Sequence, residues 1–274
     1  MKYIRGFLMA WGNFSAVPCP YHKWHDECRK AMLCMLPIVG IMLSLIVVLE
    51  WWILDMIGVP AILTGAILTA SYFMCNGFIH LDGFMDCSDA ILSRRPELEE
   101  RQRILKASDV GAFAVISVML MSLVFAASMM TLAESFSVER AAVLFVIMTL
   151  SRSTAADSVG RKKPMKTSQY ADMAGDNTVN KNAFGFGESA VLGIIIAVVV
   201  LATPLIVSGG KGTPLFLLYY APVAIIVLAV ASAVGSQARK QLGGMSGDVS
   251  GYMIVIGEMV GVLAAAVLAA GAGI

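Results

Sequence analysis

The chain has 274 residues, 58% of them hydrophobic and 14% charged, with a net charge of +1 and a mean hydropathy of +0.78. Soluble domains are roughly half apolar, so this composition excludes an ordinary soluble enzyme, and the near-zero charge carries no nucleic-acid signature. It predicts an all-α fold, a polytopic transmembrane helical bundle built as a single integral membrane domain over residues 1–274, with membrane lipid around it.

Residues 1–30 are mixed in character and do not read as a short cleavable signal. Within them Cys19, His22, His25 and Cys28 form a C-x2-H-x2-H-x2-C run. Its even spacing and its Pro18 and Pro20 flanks match no zinc pattern, so an interfacial loop is expected. The five cysteines show no paired extracellular framework, and the others read as small buried apolar residues.

A bilayer core takes about 20 apolar residues per helix. Stretches 32–52, 59–76, 111–133, 141–157, 189–208, 214–235 and 251–272 meet or approach that length, giving about seven spans with no internal repeat. Trp51 and Trp52 close the first like an interfacial anchor. The fourth is short of apolar residues, with only Ala141 to Leu150 uninterrupted. Arg152 and Asp157 are therefore expected at membrane depth, facing a polar cavity or a partner, and Glu258 poses the same problem in the last span. An Arg–carboxylate pair tying helices together is the alternative. The short fourth span also suggests cover from a second copy, a homo-oligomer.

The Lys and Arg residues are divided unevenly. Residues 1–30, 77–110 and 152–188, with Arg239 and Lys240, hold all of them but Arg140 and Lys211. The positive-inside rule then puts the N-terminus and the loops 77–110, 152–188 and 236–250 in the cytoplasm of a multi-pass cell-membrane protein.

The segment His80-Leu81-Asp82-Gly83-Phe84-Met85-Asp86-Cys87-Ser88-Asp89 follows directly on an apolar run. On a helix, steps of four and three put Asp82, Asp86 and Asp89 on one stripe. Three like charges repel unless a cation holds them, and hard carboxylate oxygens suit Mg²⁺, which takes substrate phosphates as further ligands. A solvated acidic helix start is the plainer alternative, but Gly83 and Phe84 make a poor solvated face. Two more stretches lie on the same side: Leu105 to Gly111, and Gly243-Gly244-Met245-Ser246-Gly247-Asp248-Val249-Ser250-Gly251. Glycines there allow close backbone approach, and amides at a helix start can receive phosphate oxygens.

Together these stretches resemble the cobalamin synthase family, adenosylcobinamide-GDP ribazoletransferase. That family carries a G-x-x-H-L-D-G-x-x-D-x-x-D block, which Gly77 to Asp89 reproduces at every fixed position. Its K-D-S-x-x-G block corresponds to Lys106-Ala107-Ser108, with Ala107 where the family has Asp. Its G-G-x-[TS]-G-D-x-x-G block and a later intramembrane Glu are matched by Gly243 to Gly251 and Glu258, and its early P-x-P by Pro18-Cys19-Pro20. Ala16 and Ala90 stand where many members have Arg and Gly.

The resemblance implies joining of α-ribazole or its 5′-phosphate to adenosylcobinamide-GDP, with release of GMP and formation of adenosylcobalamin or its 5′-phosphate. Asp82 and Asp86 would lie about 6 Å apart along a helix axis, with Asp89 about 10.5 Å from Asp82. That suits two ions better than one, with Asp82, Asp86, Asp89 and Asp248 as Mg²⁺ ligands. Arg152 is the candidate for the leaving phosphate, and His80 for proton acceptor or, preferably, for orienting an Asp. Asn76, Lys106, Ser108, Asp109, Gly243, Gly244, Ser246 and Gly247 are the substrate-binding candidates. A CDP-alcohol phosphotransferase or prenyltransferase also clusters aspartates with Mg²⁺. The D-x2-D-G-x2-A-R signature of the former and a second D-x-x-x-D cluster for the latter are missing. A cation transporter would place its acids along a pore instead.

Overall fold

The structure, a computed structural model, describes residues 1–21, 23–171, 184–207 and 216–272. His22, Lys181 and Lys211, used in the sequence reading, lie outside the described residues. The protein is the helical bundle that the composition requires, with no strand among the described residues beyond one isolated bridge.

Helix α1 (Lys2–Phe14) was not foreseen: it lies in the mixed segment 1–30, ahead of the Cys19–Cys28 run expected as an interfacial loop. Its buried residues Gly6, Met9, Ala10 and Phe14 follow the helical period while Met1 and Ile4 stay exposed, an amphipathic pattern. A side chain at Gly6 would collide with Ala31 at 2.8 Å, so α1 lies directly on the next helix.

Helix α2 (Arg29–Met56) has 28 residues, about 42 Å, and outruns the expected span at both ends. Trp51 turns inward, fully buried, with its ring edge-on to Phe136 at 5.4 Å. Only Trp52 faces outward as the expected anchor would. Cys19 donates to the Leu8 and Tyr21 carbonyls, while the His25 ring meets the Tyr21 hydroxyl at 2.6 Å.

Helices α3 (Ala61–Cys75) and α4 (Ile79–Leu92) meet at 89°. Gly77 and Phe78 make the corner, both with positive φ (63° and 58°). Glycine adopts that conformation freely; phenylalanine does not. Because α3 is only 15 residues, about 22 Å, the perpendicular α4 runs along the bundle's end rather than through it. Helices α5 (Leu98–Leu105), α6 (Ala112–Leu132), α7 (Val138–Arg161) and α8 (Phe186–Val207) follow. A π-helical turn, Phe216–Tyr220, leads into α9 (Ala221–Leu242), and α10 (Gly247–Ala272) closes the described chain. Six of these elements are long and apolar enough to cross a membrane, and the bent α3–α4 pair makes a possible seventh.

The short fourth span becomes α7, the centre of the bundle, packed by α2, α8, α9 and α10. Most of it is buried, so Arg152 is covered by this same chain, while the Asp157 side chain stays 40% exposed. Close approach is bought with small residues, as elsewhere in membrane bundles. A Cβ on Gly40 of α2 would meet the Met148 carbonyl of α7 at 2.6 Å.

Candidate active site

Three loops and α4 meet at the cation-rich end of the bundle. Gly243 ends α9 in a left-handed conformation (φ 85°), the usual glycine C-cap. A side chain on Gly244 would strike the backbone of Pro164 and Met165 at 2.7–2.8 Å. Its absence lets the chain pair: the Met165 amide donates to the Met245 carbonyl and the Met245 amide to the Lys163 carbonyl, both at 2.9 Å. Ser246 then starts α10, accepting from the Val249 amide at 3.2 Å and donating to Asp248 at 3.2 Å, an N-cap arrangement.

The result is a cavity of about 250 Å³ lined by Lys106, Thr167, Ser168, Gln169, Ser246, Gly247 and Asp248, with Leu105 and Met165 as its apolar part. Lys106 and Asp248 line it together and their opposite charges interact. Helix α4 lies against this wall because it has glycine where it crosses α10. A Cβ on Gly83 would meet the Asp248 backbone at 2.8 Å, and one on Gly251 the His80 carbonyl at 2.9 Å.

That crossing brings the acids of two distant segments together. Asp86 is half-buried, and burial, then the charges of Asp82, Asp248 and Asp89, push its carboxyl up to about 6. Asp82 is exposed beside it. Among the described residues no three His, Cys, Asp or Glu side chains converge as a ready-made metal centre. The donor chemistry still fits Mg²⁺: Asp82, Asp86 and Asp248 are hard oxygen donors within electrostatic reach of one another, and Mg²⁺ takes as few as one or two protein carboxylates.

Several expected site residues stand elsewhere. Asp89 accepts the Gly111 amide at 2.6 Å and the Ala114 amide at 3.2 Å, so it caps α6 from outside that helix. Arg152 does not line the cavity. It is fully buried, ion-paired to Glu258, and donates to Asn76 at 2.9 Å and to the Tyr72 hydroxyl at 3.1 Å. This is the Arg–carboxylate tie between helices rather than a phosphate contact, and Asn76 belongs to it. His80 is buried and stacked on Phe14 at 6.1 Å, with both ring nitrogens lacking a hydrogen bond. Ser108 and Asp109 are exposed and outside the cavity lining.

The family model described as cobalamin-5-phosphate synthase matches residues 6–266. The chain belongs to the cobalamin-5-phosphate synthase family. It is 31% identical over 261 residues to the adenosylcobinamide-GDP ribazoletransferase of Clostridium perfringens (strain 13 / Type A), covering 95% of this chain and 97% of that one. The protein of that name from Clostridium botulinum (strain Alaska E43 / Type E3) is 31% identical over 265 residues, 96% of this chain and 97% of its own. That from Geobacillus thermodenitrificans (strain NG80-2) is 30% identical over 257 residues, 92% of each chain. No solved structure matches. In this family member the cavity wall formed by Thr167, Ser168 and Gln169 escaped the sequence reading, since no charge or motif marks it. The one available signal was its position behind the basic run Arg161-Lys162-Lys163.

Proposed function

We propose that this chain is an adenosylcobinamide-GDP ribazoletransferase. A hydroxyl of α-ribazole or its 5′-phosphate attacks the cobinamide-linked phosphorus of adenosylcobinamide-GDP. The new P–O bond replaces the one to GMP, which leaves, and the hydroxyl proton passes to a base. What supports the reading is family membership together with one geometric observation: α4 crosses the start of α10 at Gly83 and Asp248, which brings Asp82 and Asp86 within electrostatic reach of Asp248, beside the cavity that Asp248 lines with Lys106.

Phosphoryl transfer needs positioning and charge neutralisation more than covalent help. Lys106 would hold a diphosphate oxygen, while the Gly247 and Asp248 segment offers the amides of a helix start to another. The raised carboxyl of Asp86 belongs to the metal-free site; a bound cation favours its charged form, so Asp86 serves as a ligand. Mg²⁺ would be held by Asp82, Asp86 and Asp248, and when bound it supplies neutralisation of diphosphate charge. Arg152 and Glu258 act at a distance by fixing Asn76 and Tyr72, hence the start of α4. The uneven spread of Lys and Arg supports a cavity that faces the cytoplasm.

The test is incubation of the purified protein in lipid with adenosylcobinamide-GDP, α-ribazole and Mg²⁺, following GMP. Release of GMP only when both substrates are present is expected. Release from a CDP-alcohol or a prenyl diphosphate instead would replace the proposal.

A further inference from the structure

A second cavity, of about 470 Å³, lies on the other side of α7, between it, α8 and α9. Its origin is simple: α8 and α9 each pack on α7 but hardly on one another, which leaves a cleft. The outer faces of both flanking helices expose large apolar side chains such as Ile194, Val198 and Ile225, so the cleft is bordered by acyl-chain territory.

Its lining is graded. The cation-rich end carries Arg161, Lys162 and Arg239, and the deeper part Leu192, Ile196 and Leu228. From Arg161 down to Ser153 on α7 the cavity runs about 12 Å. One carboxylate, Asp157, also lines it and is ion-paired to Arg161 at 2.5 Å, with the same guanidinium donating to Ser189 at 2.9 Å. Three cations against one carboxylate leave the cleft with net charge +2. Arg239 is half-buried, and its side chain has no hydrogen bond or ion pair among the described residues, nor has Lys162. Last-turn positions on α7 and α9 explain a cation at Arg161 or Arg239 taken singly. They do not explain why both converge with the exposed Lys162 on one cleft and why the half-buried Arg239 has no anionic partner among the described residues.

We infer that this cleft is a binding site for the phosphate group of an anionic amphiphile, with Lys162, Arg239 and Arg161 on the phosphate and the apolar part in the deeper half. Basic pockets between spanning helices recognise phospholipid headgroups in this way, and paired cations favour phosphate oxygens through charge-assisted hydrogen bonds. The same chemistry could be met by a free phosphate. The site is separate from the carboxylate cavity and rests on none of its residues.

Two arms distinguish the sources. In the first, wild type, Arg239→Gln and Lys162→Gln/Arg239→Gln are assembled in nanodiscs of phosphatidylcholine and phosphatidylglycerol. Co-purifying phosphatidylglycerol is then counted by native mass spectrometry. In the second, delipidated protein in neutral detergent is melted with inorganic phosphate against chloride at matched ionic strength. Retention of phosphatidylglycerol by wild type, reduced about tenfold in the double variant and restored by Arg239→Lys, assigns the site to lipid. A phosphate-specific rise in Tm lost in the double variant, without lipid retention, assigns it to a soluble phosphate. Equal lipid retention and equal melting in wild type and double variant overturn the site. Both readouts are taken without turnover, so they stand whether or not GMP release is found.

Discussion

Arg152 on α7 and Glu258 on α10 hold one another at the centre of the bundle, with no solvent contact for the guanidinium. Tyr72 and Ser151 complete the carboxylate's partners, and Asn76 takes the other side of the guanidinium. Breaking such a pair by removing one partner costs about 3–5 kcal/mol, because the other charge is left buried and alone. Arg152→Ala and Glu258→Ala should therefore each lower the melting temperature and the folded yield sharply. Arg152→Met/Glu258→Leu should recover much of the loss. Wild-type melting of Arg152→Ala with turnover alone abolished would return Arg152 to the substrate.

The carboxylate cavity is expected to behave in the opposite manner. Asp82→Asn and Asp86→Asn remove charge from groups that repel each other, so expression and melting should hold steady. GMP release should fall about 100–1,000-fold, the usual cost of a lost electrostatic contact to a transition state. Near-normal Mg²⁺-dependent release from the double variant would exclude this site.

Asp89 separates a cap from a metal ligand. Asp89→Ala deprives the Gly111 and Ala114 amides of their acceptor and should cost about 1 kcal/mol of stability. The Mg²⁺ concentration for half-maximal rate should stay within twofold of wild type. A rise of an order of magnitude or more, with unchanged melting, would assign Asp89 to the metal.

The raised carboxyl of Asp86 predicts a pH trend in the stability of the Mg²⁺-free protein. Its folded value is about 6 against an ordinary 3.8, so the folded state binds this proton more tightly than the unfolded one. Stability without Mg²⁺ should rise as pH falls from about 6 toward 3.8. Saturating Mg²⁺, which favours the carboxylate, should abolish that trend. Asp86→Asn should flatten the stability trend, and an unaltered trend would place the raised group elsewhere.

Membrane sidedness follows from the same charges that line the two cavities. Single cysteines at Ser135 and Ser168, in an otherwise cysteine-free background, should label from opposite sides, Ser168 from the cytoplasm. Labelling of both from one side would invalidate the seven-crossing topology.

Hydropathy located the spanning helices because lipid leaves the backbone no alternative to a helix. Spacing made the Asp82–Asp86 pair and the Gly243–Gly251 loop visible, and the structure brings both to one place. Three things were not legible. Helix α1 is amphipathic rather than apolar, so a search for 20-residue runs passes over it. The right angle at Gly77 and Phe78 depends on Phe78 adopting a conformation that its own preferences oppose. The fate of Arg152 was half legible: its depth followed from the short apolar stretch. Its choice of Glu258 over a substrate depended on α10 lying alongside α7, a long-range relation that no local pattern carries.

The backbone pairing of Lys163 and Met165 with Met245 constrains how the carboxylate cavity can open. The two segments are joined through both amides of Met165 and Met245, so that side cannot swing outward without losing two hydrogen bonds at once. Lys106 sits in a turn after an eight-residue helix, which is tied to the end of α9 by one side-chain bond, from Gln102 to the Leu242 carbonyl at 2.8 Å. A corrinoid nucleotide too large for the closed cavity would therefore enter from the Lys106 side, making α5 rather than the 163–170 segment the place where a bulky substrate is admitted.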